Sequence, residues 1–379
     1  MYLSSVRARG AAAAAAAVAV AVAGLAAAVV ALGAAAFAAP VEAVFKGHKS
    51  GVVDIAWHPA GVLLASAGSD GQVLVWNVGG TGAGARAATL GGFKTGAVAL
   101  AFRPPKGDQL AVGDAGGGLT VFDTAGWKRV FGAAALGDAV DHVEYSPNGN
   151  ELAIGYGESA AVLTVPEYER DRAYKVPPML TDLAWAPFSD ALALASLDGT
   201  ASVWPLHGDV GRVTLTGHDT GLSDVAFSPD GRTIATADAH GMVRLWDAIN
   251  GTVTAQPLDA TGSRVWELAW TKDSAFLATA GADGKVTVFS AASGKEVKSY
   301  EPGGGAVKHV AFSPDGRLLA ATTTTRVFVW RVDSGAEVAT MSDHKEAISA
   351  LAWSPDGKRL ATGSDDDVVR VWTLADPGP

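Results

Sequence analysis

The chain of 379 residues has a formal net charge of -10, 46 glycines and no cysteine. That balance excludes a surface neutralising many phosphates, and the missing thiols exclude disulfides, thiolate metal sites and cysteine nucleophiles. With 49% apolar and only 18% charged residues, a large folded core rich in tight turns is expected, not a disordered chain.

At the start, Arg7 and Arg9 precede a run of small and apolar residues over 11–39, before Pro40 and Glu42. A basic start, an apolar stretch and Ala36 and Ala38 flanking Phe37 resemble a secretory signal, with cleavage expected after Ala38. The run is long enough to cross a bilayer, so an uncleaved anchor is the second reading; a transit peptide or a mis-assigned start of a cytoplasmic protein are the others. Residues 1–38 are therefore set apart as a signal or membrane anchor, and the remainder is expected to be exported or anchored, in a bacterium on composition alone.

Beyond Pro40 the chain repeats a triplet of aliphatic, small and aromatic residues. In order, the copies are Ile55-Ala56-Trp57, Leu100-Ala101-Phe102, Val143-Glu144-Tyr145, Leu183-Ala184-Trp185, Val225-Ala226-Phe227, Leu268-Ala269-Trp270, Val310-Ala311-Phe312 and Leu351-Ala352-Trp353; only Glu144 breaks the pattern. Ser-Pro-Asp-Gly turns follow at 228–231, 313–316 and 354–357, where Pro, Asp and Gly fix a tight hairpin. A second apolar run, a turn and a third run ending in an aromatic come next, as at 243–246, and a fourth strand fits before the following triplet. Four antiparallel strands repeating every ~40–45 residues predict an all-β fold, a single β-propeller whose blades stack face to face. Eight blades are expected, with seven as the alternative if the weakest unit, around 140–165, is not a full blade; blades two and three should be the least regular.

Marked by Gly47-His48, Gly217-His218 and Trp246-Asp247, these units resemble WD repeats, and the resemblance spans about residues 41–374. It implies that the last blade is built from both chain ends: the apolar run at 41–45 would supply the outer strand missing after 368–372, and so remove an open edge. It further implies a buried polar set in each complete unit: a His before the first strand, a Ser or Thr on the second, an Asp in the next turn and a Trp on the third. Each of these groups loses water and requires a partner. The resemblance places the set at His48, Ser66, Asp70 and Trp76, and again at His344, Thr362, Asp366 and Trp372. In the fifth unit it offers His218, Thr236 and Trp246, with His240 standing where Asp is expected. Asp198 and Trp204 remain in the fourth, Thr279 and Asp283 in the sixth, and little in the second, third and seventh.

Ser, His and Asp in one unit could be taken for a nucleophilic triad, yet their recurrence at strand and turn positions favours a structural role. The Gly-rich stretches at 79–85 and 113–118 lack the Lys and Ser or Thr of a phosphate loop, and no zinc-protease, EF-hand or nucleophile-elbow motif is present. No catalytic, cofactor or metal residue is nominated. The expected function is a non-enzymatic scaffold: a monomeric propeller with a protein or peptide partner, no nucleic acid, and membrane contact only through an uncleaved N-terminal segment. The alternative is a propeller enzyme or cofactor-binding protein with its site over the central channel.

By the same resemblance, docking falls on the face bearing the loop before each first strand and the turn between second and third strands. There "SRVWELAW" nominates Arg264 and Trp266, an aromatic beside a cation, with Lys308 and Asp141 at corresponding places in other blades; filling a gap between blades is the alternative role for Trp266. Aligning "GSDDDVVRVW" with "AGSDGQVLVW" gives Asp366 to the buried set and Asp367 to the position of the turn glycine. Asp365 is left as a candidate contact.

Overall fold

The computed structural model describes residues 41–374 apart from 80–82, 94, 135, 207–210 and 261, so the expected signal or anchor at 1–38 lies outside the described residues. The described strands form eight antiparallel sheets of four. In the first blade the order is Val52–Trp57, Leu63–Gly68, Gln72–Asn77 and Arg86–Gly91, each strand pairing with the next. The unit around 140–165 is a full blade, with strands Val140–Tyr145, Glu151–Tyr156, Ser159–Thr164 and Arg170–Lys175, which settles the count at eight. First strands of neighbouring blades pack side by side, and that of the last, Ile348–Trp353, meets Val52–Trp57 to close the ring.

The expectation that blades two and three would be least regular does not hold. The shortest outer strands belong to blades four and five, Val213–Leu215 and Leu258–Asp259; in the latter Pro257, which lacks an N–H, stands immediately before the strand. Blades two and three, though they lack the polar set, retain the apolar clusters packed between blades and with them full-length strands.

Those apolar pairs make the core. Apolar side chains collect in clusters that each span two neighbouring blades; Leu64 faces the seam with the last blade, while Ala65 and Ala67 face the seam with the second. The second strand is thus buried on both sides, which explains why it is apolar without alternation and why a large residue on one side is matched by alanine on the other.

Closure uses a strand from each end of the described chain. Val41–Lys46 runs antiparallel to Val368–Thr373, with Phe45 opposite Val369. Phe45 is also buried and stacks on Trp76 of the first blade with ring centroids 5.0 Å apart, so one strand completes a sheet and seals a seam. Phe45→Ala should therefore destabilise the propeller by about 3 kcal/mol, the usual cost of removing a buried phenyl ring, measured as a lowered urea midpoint.

Candidate functional site

Two kinds of polar construction stand on this frame, one inside the blades and one at the channel mouth. In the first blade the Trp76 indole N–H donates to Ser66 Oγ at 3.0 Å, that hydroxyl lies 2.8 Å from His48 Nε2, and His48 Nδ1 lies 3.1 Å from Asp70. Asp70 also accepts the Lys49 and Gln72 backbone N–H groups, so the set locks the loop before the first strand to the turn after the second. Ser66 is wholly buried and offers no nucleophile to solvent.

Blade five builds the same chain from Trp246, Thr236 and His218, but its carboxylate is Asp238, 2.8 Å from His218 Nδ1. His240 does not take that place; it is exposed, and its backbone N–H donates to Asp238. The carboxylate thus stands at the end of the second strand, two residues earlier than the alignment predicts, where it still reaches the ring.

In blade eight His344 lies 2.7 Å from Thr362 Oγ1 and 3.1 Å from Asp366, yet the buried Trp372 indole N–H has no partner among the described residues. Trp372 meets His344 edge to face at 5.7 Å instead, and Arg370 enters the set by donating to Asp366 at 2.9 Å. Burial and the nearby Arg370 guanidinium push His344 down to about 4, so the ring is neutral at physiological pH. A sequence signal for Arg370 existed: Arg-x-Trp lies within the third strand in blades five and eight, where the first blade has Leu74 two residues before its Trp.

A further device was missed by sequence reasoning. One residue before the triplet, Asp54, Asp182, Asp224 and Glu267 each accept the backbone N–H of the next blade's first strand, at Leu100 (2.7 Å), Val225 (2.9 Å), Leu268 (2.6 Å) and Val310 (3.1 Å). The triplet tryptophans reach the other way: Trp57, Trp185, Trp270 and Trp353 donate to carbonyls of the preceding blade at Ala352, Glu144, Ala226 and Ala311. The alternation of carboxylate, alanine and histidine in that column was the available signal.

Asp54 has no cation beside it in its hydrogen-bond set, and burial pushes its carboxyl up to about 8 despite the Leu100 and Ile55 N–H groups. Since the unfolded value is ~3.9, the folded state holds this proton more tightly, and the associated stability is full below about pH 4 and lost as pH rises to about 8. Asp54→Asn removes that dependence. Urea unfolding from about pH 5 to about pH 8 should show the variant gaining on the parent by up to about 1.4 kcal/mol per pH unit.

The channel mouth is set by a repeated irregularity. In seven first strands the register slips by one residue near the start, as between Val52 and Asp54, which leaves one residue unpaired and re-aims its side chain. Asp141 and Trp266 occupy this bulge, and Lys308 the same place just ahead of the shorter strand His309–Phe312. Ser223 and Ser349 at equivalent positions spend their hydroxyls on carbonyls of the next blade, Val265 and Val52. Trp266 does not. It is half-buried, its indole N–H has no partner among the described residues, and the Arg264 guanidinium stacks 4.4 Å from its ring centroid.

Asp365 is exposed above Gly51 of the first blade, where even a methyl group would come within 2.9 Å of its carboxylate. Partial burial raises its carboxyl and the Lys308 ammonium pulls the other way, so these two candidates share one field across blades seven and eight. Asp367 has a φ of 66°, the left-handed turn conformation that Gly71 adopts in the first blade. Among the described residues no group of three or more His, Cys, Asp or Glu side chains is arranged to hold a metal ion.

The family model described as WD domain, G-beta repeat, matches residues 40–77, 211–247 and 335–373, and the anaphase-promoting complex subunit 4 WD40 domain matches 253–313. THO complex subunit 3 of Arabidopsis thaliana is 26% identical over 54% of this chain and 65% of its own. WD repeat-containing protein SL1-17 of Schistosoma mansoni is 34% identical over 56% of each chain. The chain thus spans less than two thirds of the length of either relative, and both are eukaryotic, which lends no support to the expected bacterial source. Among solved structures, Chaetomium thermophilum Sqt1 bound to the N-terminus of the ribosomal protein L10 has a TM-score of 0.81 at 23% identity, covering 89% of this chain and 100% of its own. The computationally designed Ika8 protein gives 0.78 at 21%, covering 88% and 99%. At such identities the likeness shows the fold alone.

Proposed function

The chain is a WD-repeat β-propeller, and we propose that it acts as a non-catalytic docking platform for a protein or peptide at the channel mouth. The observation that carries this reading is the Arg264–Trp266 stack. The bulge hydroxyls of Ser223 and Ser349 are tied to the next blade, whereas the buried Trp266 indole N–H and Arg264 Nε of this stack have no partner among the described residues. A stacked aromatic and guanidinium are the residue types that dominate protein interfaces. Lys308, Asp141 and Asp365 supply charged contacts around it. The Sqt1 structure, with a peptide from another protein bound, supports the plausibility of such a role for a propeller of this build.

For residues 1–38, the basic start and apolar run support an export signal or anchor, and N-terminal sequencing of the mature protein checks it. Trp266→Ala and Arg264→Ala should each weaken partner capture by the full chain about tenfold or more. Unchanged recovery with both variants rejects this face, and a visible chromophore in the purified protein opposes the non-catalytic reading.

A further inference from the structure

The seam between blades two and three differs from the other seven. Each of those is tied across its first strands by a carboxylate or an indole, whereas here Ala99 stands at the carboxylate position and Tyr145 replaces the triplet tryptophan. The polar set is also replaced. Leu136 stands four residues before Val140, as His48 does before Val52; Ile154 is opposite Val143, as Ser66 is opposite Ile55; and Leu163 is opposite Leu152, as Trp76 is opposite Leu64. At the opposite end of the blades the seam is secured, since Arg103 Nε donates to the Gly149 carbonyl at 2.7 Å. Toward the docking face, beside this apolar substitute, a cavity of about 690 Å³ opens on the side away from that seam, lined by blade three and by Pro178 and Met179 of the loop into blade four. That volume suits a side chain and its flanking backbone.

We propose that this cavity binds a peptide segment through one lysine or arginine side chain. Leu136, Tyr156 and Met179 offer apolar surface to the aliphatic stem, and the exposed carboxylates of Asp138 and Glu158 receive the cationic head. Neither carboxylate is ion-paired among the described residues. Asp138 is pressed against Gly157, whose φ of 52° and missing side chain admit it; a methyl group there would lie 2.3 Å from its Oδ2. The lining also contains two cations, both on the outer strand: Lys175 donates to Ser159 Oγ at 2.9 Å, and Arg170 stands at the far end of that strand. Lys175 is thereby engaged within the blade, and neither cation is ion-paired with Asp138 or Glu158. The chain's net charge of -10 favours approach of a basic segment.

This inference rests on the docking-platform reading but not on its face. Fluorescence anisotropy of the full chain with a labelled Ala-Ala-Leu-Lys-Ala-Ala peptide tests it, against counterparts carrying norleucine or glutamate in place of the lysine. The lysine peptide should bind best, Asp138→Asn and Glu158→Gln should each weaken it about fivefold, and cavity-filling Leu136→Trp should abolish binding while thermal unfolding stays cooperative. Trp266→Ala should leave this binding unchanged, so failure at the channel mouth and failure here are separate results. Equal or tighter binding of the glutamate peptide would assign the cavity to Arg170 and Lys175 and overturn the proposal, as would binding that is absent or indifferent to both acidic variants.

Discussion

A four-stranded sheet whose second strand is buried on both faces has no side to offer to water, so it is stable only between two others. That constraint shapes the ring. It sets the composition of the second strands, places the core in the seams, and makes closure compulsory, because an open ring would expose two full apolar faces. Hydrophobic burial brings the blades together without fixing their rotation. The directional contacts at Asp54, Asp182, Asp224 and Glu267, and the indole bonds running the other way, set how first strands register across each seam.

The fold was legible because it is written several times over. The eight triplets, the hairpin turns and the apolar run at 41–45 each carry local signals that agree with the ring, and a weak unit such as that around 140–165 is held to the pattern by its neighbours. The site was legible only where it follows the repeat. His48, Ser66, Asp70 and Trp76 meet at the positions that the resemblance implies. Departures depended on distances that no spacing rule contains: Asp238 reaches His218 from the strand end, and Arg370 occupies polar contacts from which the Trp372 indole is absent. The seam carboxylates escaped notice because their partners are backbone groups some forty residues away, invisible to any search for motifs.

The three consecutive aspartates near the chain end show how context assigns chemistry. Asp366 belongs to an internal hydrogen-bond set, Asp367 to a turn of left-handed backbone, and Asp365 to the surface, where it shares a field with Lys308. Adjacent carboxylates of identical intrinsic chemistry are separated into three roles by the strand and turn on which they fall. Repeats permit such division, since a position that carries a polar group in one blade carries an apolar one in another, as Leu136, packed against the core, stands where the first blade has His48.

The strand that completes the last blade is made before any other in the ring. Synthesis runs from the N-terminus, so Val41–Lys46 emerges long before Val368–Thr373 exists to receive it. During that interval its backbone groups need temporary company, and Trp76 lacks the ring that later covers it. A nascent chain halted ahead of Val368 would lack the strand that Val41–Lys46 pairs with, so the circle could not be sealed until the last residues of the ring are made.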